Sequence, residues 1–390
     1  MKKRLLLPLL ATLSLYAQDF EQFKEEALTK SPYLKANAML IEQSKEQSKI
    51  TTRYKNPTLA LEASQFNQDA SNTSDNGFRI ELTQPLRLWG VGSDRDALSQ
   101  AQRTSAEKQV TLTRAAFIKE LSLKYGAYKR LTKRETLASQ ELRIAQKIAD
   151  ISKARFESGT IARVKYLQAT LDVKRAKNNL DTLTIAKTDA YYKLLAFAGL
   201  QTEPKLESSY SFRLQTENAP LSTPELAVLQ SRQKEAAANA ALSANKLEWL
   251  ALRAEYEKEP DQAIYRVGVN IPLVVFNAKH EEKKIAKLQA QTQQLLFEQT
   301  KTAQNFTLNK TVRLINKLSA LQKSTQALIN AQQELLLMYE DGYKIANINL
   351  VELQLIKNQM IRTQEKLIDI NRQKENNIIE YNYLTGAYNE

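Results

Sequence analysis

The amino-acid sequence predicts a mainly α-helical protein with a small β part, built as a long antiparallel α-helical barrel joined to a transmembrane β-barrel. Three observations lead to this fold class. Residues 273–341 contain neither proline nor glycine, and Gly126 is the only such residue within 93–158. At 1.5 Å per residue each stretch makes a helix of roughly 100 Å, far longer than an ordinary domain is wide. One arrangement of strands and helices also occurs twice, and its strands alternate between apolar and polar residues.

The N-terminus has the pattern of an export signal. Three basic residues follow Met1, an apolar run extends from Leu5 to Leu15, and a small residue, Ala17, comes soon after. The apolar run is about half of the ~20 residues that a membrane-spanning helix needs. We therefore expect residues 1–17 to be a signal peptide that is cleaved after Ala17.

Charge and cysteine content restrict the function. The chain has a net charge of +13, and cleavage of the signal would lower it to +10 because residues 1–17 hold three bases and no acid. Lysine and arginine are mixed with acids along the helices, which does not favour nucleic-acid binding. The absence of cysteine excludes disulfides and a lipid attached through a thiol. Charged and polar residues interrupt every long helix, so only a closed β-barrel could span a membrane.

Two parts of the sequence superpose without gaps at an offset of 187 residues. Residues 78–90 align with 265–277, which brings Pro85 onto Pro272. Residues 156–164 align with 343–351 at the same offset. Equal spacing across a long helix predicts that the helices of the two copies have the same length. We divide the mature chain into a first repeat, 18–205, and a second repeat, 206–390, interleaved in one structural unit.

Each repeat is predicted to run helix, strand, strand, very long helix, turn, helix. The strand before Pro85 alternates, with Phe78, Ile80 and Leu82 on one face and Arg79 on the other, and the strand before Pro272 does the same. A linker with three prolines, 200–224, joins the repeats. The predicted elements are 19–54, 57–65, 77–86, 89–157 and 164–199 in the first repeat, and 225–245, 247–257, 264–273, 278–343 and 350–384 in the second.

Four amphipathic strands are too few to close a membrane barrel, because about eight is the smallest number seen. Three chains would supply twelve strands and leave no free edge. Aromatic residues near the strand ends suit the girdles of such a barrel; they are Phe66, Phe78, Trp89, Trp249, Tyr256, Tyr265 and Phe276. The alternative is a soluble protein in which two hairpins cap a helical bundle. We favour the barrel, because two hairpins offer little core for helices of roughly 100 Å.

Several motifs resemble the TolC family of outer-membrane efflux proteins, and the similarity covers essentially the whole mature chain. The most specific are the two helix-hairpin turns: residues 155–161 resemble the Arg-Phe-x-x-Gly-Leu turn of the family, and residues 341–346 resemble its Gly-Tyr-x-x-Gly turn. The other matching segments are Lys177-Asn178-Asn179-Leu180-Asp181, Tyr381-Asn382-Tyr383-Leu384-Thr385-Gly386, Gln84-Pro85-Leu86 and Ile271-Pro272-Leu273.

The resemblance implies a homotrimer in the cell outer membrane, in contact with its lipid, whose helices extend into the periplasm. It implies the channel component of a tripartite efflux pump or type I secretion system. In the family the inner tip docks to a periplasmic adaptor (membrane fusion) protein, which couples the channel to an inner-membrane pump, and the helices move apart like an iris. Drugs, metal ions and secreted proteins all remain open as cargo.

The resemblance also assigns candidate site residues. The turns would form the adaptor-docking tip through Gly159, Thr160, Ile161, Tyr343, Ala346, Asn347 and Ile348. Ala346 stands where the family has its turn glycine, so we expect a different backbone shape in the second turn. Six residues after each turn position, Lys165 and Glu352 match family acids that face the channel constriction. A further family acid falls on Leu355, and the simpler interpretation is that Lys165 and Glu352 are ordinary solvated helix residues.

The sequence gives no sign of catalysis. His280 is the only histidine, and without cysteine one chain cannot easily assemble a zinc or copper site. Gly90-Val91-Gly92 lacks the rest of a phosphate-binding loop. We predict no enzyme activity, metal, cofactor or nucleic-acid partner. The alternative function is a periplasmic coiled-coil adaptor or scaffold, which would carry one helical hairpin flanked by β-rich modules, whereas this sequence predicts two hairpins and few strands.

Overall fold

The computed structural model describes residues 17–68, 73–215, 219–276 and 279–389, apart from the side chains of residues 67, 68 and 73. The predicted signal peptide, except for Ala17, lies outside the described residues. The elements are α1 (Phe20–Lys30), α2 (Pro32–Thr52), β1 (Thr58–Gln68), β2 (Thr73–Arg87), α3 (Val91–Glu157), α4 (Arg163–Ala198), α5 (Pro224–Ser243), β3 (Trp249–Lys258), β4 (Ala263–Asn270), α6 (His280–Lys344) and α7 (Leu350–Leu384).

The first predicted helix is the one element that the sequence interpretation had wrong. Residues 19–54 form two helices, because Ser31 adopts φ −55° and ψ 118° and Pro32 opens α2. Proline has no N–H to continue a helix and is favoured at a first helical position. Gly199 lies against this break with φ +71°, and a side chain there would meet the Pro32 ring at 2.8 Å. The remaining elements follow the predicted order.

The two longest helices carry the repeat. Helix α3 has 67 residues and α6 has 65, so each is about 100 Å long. They end at Glu157 and Lys344, and the helices that follow begin at Arg163 and Leu350. Both pairs are 187 residues apart, so the two hairpins turn at the same distance from the sheet. No helix within the described ranges is long and apolar enough to cross a bilayer.

Four helices lie side by side at each level along the molecule, both near the sheet and near the turns. On the sheet side, α2 packs on α3, and α5 packs on both α3 and α6. On the far side, α4 packs on α3, and α7 packs on both α3 and α6. The far half therefore has the order α4, α3, α7, α6, with α4 and α6 at its two edges.

The main hydrophobic core lies where the two halves meet. Phe20 of α1 contacts the rings of Tyr125, Tyr210 and Phe212, all with centroids 4.8–5.1 Å from its own. Lys129 is buried beside them and donates to the Tyr210 carbonyl at 2.6 Å and to the Glu375 carboxylate. Burial lowers the pKa of Lys129 below its ordinary value. This core fixes the linker between the repeats onto the long helices.

The four strands form one antiparallel sheet in the order β1-β2-β3-β4. Register pairs place Leu61 opposite Ile80, Ile80 opposite Tyr256 and Ala254 opposite Val267, so one face is apolar across all strands. The opposite face carries charged side chains. Trp89 and Phe276, which occupy matching positions in the two repeats, are fully exposed at the helix ends of the strands. Trp249 differs from the girdle expectation, because its ring lies on the charged face against Tyr54.

Candidate docking tip and channel constriction

The first hairpin turn is a Schellman motif that ends α3. Gly159 has φ +76°, in the left-handed region where glycine meets no Cβ penalty. Its N–H donates to the Phe156 carbonyl at 2.9 Å, and the Thr160 N–H donates to the Arg155 carbonyl at 2.8 Å. This 5→2 and 6→1 pair satisfies carbonyls that the helix end leaves free. The motif reverses the chain within five residues before α4 begins.

The second turn has the same backbone shape, so the expectation of a different one is wrong. Ala346 has φ +67°. Its N–H donates to the Tyr343 carbonyl at 3.4 Å, and the Asn347 N–H donates to the Gly342 carbonyl at 3.0 Å. These bonds reproduce those of the first turn at an offset of 187. An L-residue in the left-handed region costs roughly 1–2 kcal/mol, and the contacts around the second turn hold Ala346 there.

The two turns differ in side chains rather than in backbone. Gly342 occupies the position that Arg155 has in the first repeat. A Cβ on Gly342 would lie 2.6 Å from the Ile348 Cδ1, so the glycine leaves the room that this side chain fills. Arg155 instead reaches the other hairpin, where its guanidinium donates to the Tyr343 carbonyl at 2.8 Å and lies 4.7 Å from the Tyr343 ring centre.

Tyr343 joins the two hairpins. Its side chain is 1% exposed, and its hydroxyl lies 2.8 Å from the hydroxyl of Ser152, itself buried in α3. The matching residue of the first repeat, Phe156, is partly exposed and stacks on Tyr166 at 5.8 Å. Tyr343 was predicted as a docking residue, yet its side chain is enclosed by the chain. It supports the second turn from within.

The other predicted tip residues lie at the end of the helical layer. Gly159, Thr160, Ala346 and Asn347 are exposed. The two isoleucines, Ile161 and Ile348, are half-buried, and Ile348 packs beside Gly342 of its own turn. The tip therefore presents two similar backbone reversals, and Ile345 of the second turn is exposed beside the small and polar residues.

Lys165 and Glu352 occupy matching positions, the third residue of α4 and of α7. Glu352 is exposed, and its N–H donates to the side chain of Asn349, the N-cap of α7, at 3.0 Å. An acid in the first turn of a helix is favoured by the helix dipole, whereas a base is disfavoured by about 0.3–1 kcal/mol. Lys165 is half-buried in a first turn that also lacks a side-chain cap. Helix stability therefore accounts for Glu352 and not for Lys165.

Further polar contacts tie the hairpins together above the tip. Lys357 of α7 is completely buried and pairs with Asp172 of α4. The Gln168 amide donates to the Gln354 side chain at 3.1 Å on the same pair of helices. A buried ammonium needs such a partner, because an unpaired buried charge costs several kcal/mol.

The sequence interpretation missed Ser152 and the Asp172–Lys357 pair, and it named Arg155 and Gly342 only as parts of the turn motifs, without a structural role. Comparing the two repeats position by position could have singled out Arg155 and Gly342, since the largest change in side-chain size near the turns falls there. Nothing in the sequence pairs Asp172 with Lys357, because their contact depends on how α4 and α7 lean together. Among the described residues no group of histidines or acids could hold a metal ion.

The family profile described as "Outer membrane efflux protein" matches residues 24–200. The fold is similar to the Vibrio cholerae outer membrane protein VceC, with a TM-score of 0.79, 14% identity, and 94% of this chain and 95% of that chain covered. It is similar to the Campylobacter jejuni outer membrane channel CmeC, with a TM-score of 0.78, 14% identity, and 94% and 85% covered.

The fold is also similar to the open state of the Neisseria gonorrhoeae outer membrane channel MtrE, with a TM-score of 0.78, 13% identity, and 94% and 88% covered. A search of curated proteins finds no match. Four helices lie side by side, continue from a four-stranded sheet and end in two matching turns. This arrangement defines the class of TolC-like outer-membrane channel folds. The fold of the whole chain is therefore that of these outer-membrane channels, and residues 24–200 match the outer membrane efflux protein family.

Proposed function

We propose that three copies of this chain form the outer-membrane channel of a tripartite efflux pump or a type I secretion system. The duct is passive: it docks to a periplasmic adaptor protein, and an inner-membrane pump supplies the energy. The observation that carries the proposal is a pair of complementary free edges, present both in the sheet and in the helical layer.

The free edges of the sheet are β1 and β4. In the described part of the chain neither strand pairs on its outer side. An unpaired edge exposes a row of backbone donors and acceptors, which a neighbouring strand satisfies. Pairing β4 of one copy with β1 of the next would close a barrel of twelve strands after three copies. The apolar face would then meet lipid and the charged face would line the lumen.

The free edges of the helical layer are α4 and α6. Exposed residues recur every seven positions along α4, at Leu171, Asn178, Ile185 and Tyr192. The same spacing recurs on α6, and those residues are Leu314, Leu321, Leu328 and Leu335. A seven-residue apolar repeat is the pattern by which helices pack side by side.

The two stripes also agree in height above the tip. Leu171 is the eighth residue after the start of α4, and Leu335 is the ninth before the end of α6. Ile185 and Leu321 show the same one-residue difference, which is about 1.5 Å along a helix. In a ring of three copies, α4 of each chain would therefore pack against α6 of the next, with Asn178 as the one polar residue among the paired positions.

Docking to the adaptor is assigned to the exposed turn residues Gly159, Thr160, Ala346 and Asn347, with Ile161 and Ile348 beneath them. Their shared backbone shape supports one binding mode at both turns. Tyr343 acts indirectly by fixing the second turn to α3. The three-fold ring would offer six such turns to the adaptor.

We assign the channel constriction to rings of Lys165 and Glu352. Neither side chain forms an ion pair within the described ranges, and the position of Lys165 works against its own helix dipole. Rings of charged side chains bias ion selectivity in pores. Glu352→Lys should reduce the cation preference of the channel, whereas the neighbouring exposed substitution Val351→Thr should leave it unchanged.

A periplasmic adaptor or scaffold is the competing function. The presence of two helical hairpins and one four-stranded sheet argues against it, as does the match of residues 24–200 to an outer membrane efflux protein family. A stable trimer band from outer-membrane extract, lost on boiling, is expected for the duct. Leu321→Glu on α6 should abolish that band, whereas Gln326→Glu, an exposed position off the stripe, should retain it. Recovery of the wild-type chain as a soluble periplasmic monomer would refute the proposal.

A further inference from the structure

The charged face of the sheet carries seven charged side chains, which form one isolated ion pair and one connected group of five. Glu62 of β1 pairs with Arg79 of β2. Arg253 of β3 contacts Glu81 of β2 at 3.2 Å and also Glu255 on its own strand. Arg266 of β4 contacts both Glu255 and Glu257. We name these seven residues the charged belt; they are Glu62, Arg79, Glu81, Arg253, Glu255, Glu257 and Arg266.

Glu255 is the centre of the belt. Its side chain is 0% exposed, with Arg253 on one side and Arg266 on the other. In the strand register it lies directly opposite Glu81, and two like charges in such a pair repel. The Arg253 guanidinium lies between the two acids and offsets that repulsion. Uncharged polar residues would cover this face without any such compensation, so sheet stability alone does not account for the belt.

The belt is confined to one height of the sheet. It occupies the half of β3 that is nearer to the β3–β4 turn, between Arg253 and Glu257. On the helix side of this band the same face presents an uncharged row, Pro85, Ala251 and Asn270, and Arg87 lies beyond that row. The belt is therefore separated from Arg87 by one uncharged row of the sheet.

We infer that the charged belt sets the ion preference of the outer half of the duct; this inference rests on the proposed channel function. Four glutamates against three arginines leave a net charge of −1 in each chain, hence −3 around three copies. Charges on a pore wall bordered by a low-dielectric barrel concentrate counter-ions and repel co-ions. Such charges act over about 10 Å at 0.1 M salt. The belt thus favours cations and positively charged cargo at the exit.

The test measures the zero-current potential of the full-length trimer in a planar bilayer under a tenfold KCl gradient, with the tip residues unchanged. Arg253→Gln makes the belt more negative and should raise the K⁺/Cl⁻ permeability ratio at least twofold. Glu255→Gln makes it neutral and should lower the ratio by a similar factor. Arg253→Lys keeps the charge and should match the wild type. Glu25→Gln, a same-sized charge change on the exposed side of α1, should also match it.

Glu257→Gln covers the case in which Glu255→Gln fails to form trimers, because Glu257 is partly exposed and its loss changes the charge equally. Trimers that conduct with the wild-type permeability ratio in the Arg253→Gln and Glu257→Gln variants would overturn the inference and leave the channel function standing. That result is expected if the charged belt only stabilises the sheet. A wild-type trimer that never conducts would instead overturn the proposed function, and the inference with it.

Discussion

Ser152 and Tyr343 belong to different helical hairpins, and their hydroxyl oxygens lie 2.8 Å apart in the interior of the tip. Ser152 also donates to the Ile148 carbonyl at 2.8 Å, as a helical serine commonly does. Its hydroxyl proton is thus committed within α3, and the Tyr343 hydroxyl is the donor to Ser152. The second turn is held in place by the first hairpin through this bond and through Arg155.

Tyr343→Phe removes that bond while keeping the ring. The loss of one buried hydrogen bond should cost about 1 kcal/mol, so the Asn347 amide, which closes the second turn, should exchange with deuterium about fivefold faster. Ser152→Ala should give a similar change, and the double variant should add little to either. Wild-type exchange at Asn347 in Tyr343→Phe would show that the hydroxyl does not support the turn.

Ala346→Gly should stabilise the second turn. Glycine adopts the left-handed conformation without the Cβ penalty, and part of that gain is offset by its greater freedom when unfolded, which leaves about 0.5–1 kcal/mol. The Asn347 amide should exchange two- to fivefold more slowly. Gly159→Ala makes the reverse change in an identical backbone shape, so the Thr160 amide should exchange faster. If both variants changed the amide exchange rates in the same direction, the shared Schellman geometry would be contradicted.

Gly342→Ala should weaken adaptor docking. The new methyl group would lie 2.6 Å from the Ile348 side chain and force it out of place. Shortening that side chain in Gly342→Ala/Ile348→Ala should restore most of the binding, measured as pull-down of the cognate periplasmic adaptor. Gly126→Ala, a change inside α3 with open space around it, should bind as the wild type does. Failure of the double variant to recover would mean that packing of Ile348 is not the cause.

Alkaline pH should destabilise the core between the two halves. Burial raises the pKa of Tyr388 to about 12, and it also raises the pKa of Tyr125 and of Tyr210. Between pH 10 and 12 the unfolded chain releases these protons and the folded chain keeps them, so stability falls by roughly 1.4 kcal/mol per pH unit for each such tyrosine. Below pH 10 both states are protonated and no dependence arises.

Thermal unfolding followed by circular dichroism at pH 9, 10, 11 and 12 measures this loss. Tyr388→Phe removes one titrating group and should make the decline shallower. Tyr33→Phe, at an exposed ring on α2, is the matched control and should keep the wild-type slope. A flat profile up to pH 12 would contradict the burial of these phenols.

Much of this fold is predictable from the sequence, for physical reasons that differ between elements. The span without proline and glycine predicts α6, and the constant offset predicts that both hairpins turn at the same height. Alternation predicts the faces of β2 and β4. The break at Pro32 was missed because a proline at a first helical position is compatible with a helix start and gives no separate warning within a helical pattern.

The site was less predictable. Ala346 at a glycine position suggested a changed turn, yet the packing of Tyr343 and Ile348 holds it in the left-handed region. Tertiary contacts decided the backbone there. The burial of Tyr343 and the pairing of Asp172 with Lys357 depend on contacts between hairpins, which periodicity within one helix does not report. The pairing of β2 with β3 between the two repeats, and the charged belt, could be seen only from the register of the sheet.

Conductance of the purified full-length protein in a planar lipid bilayer tests the central claim most directly. Trimers extracted from the outer membrane should produce discrete current steps with no nucleotide or proton gradient supplied, and Leu321→Glu, which prevents the α4–α6 contact between copies, should produce none. A stable wild-type trimer that inserts in the bilayer and passes no current, with or without its adaptor, would contradict the account of this chain as a passive exit duct.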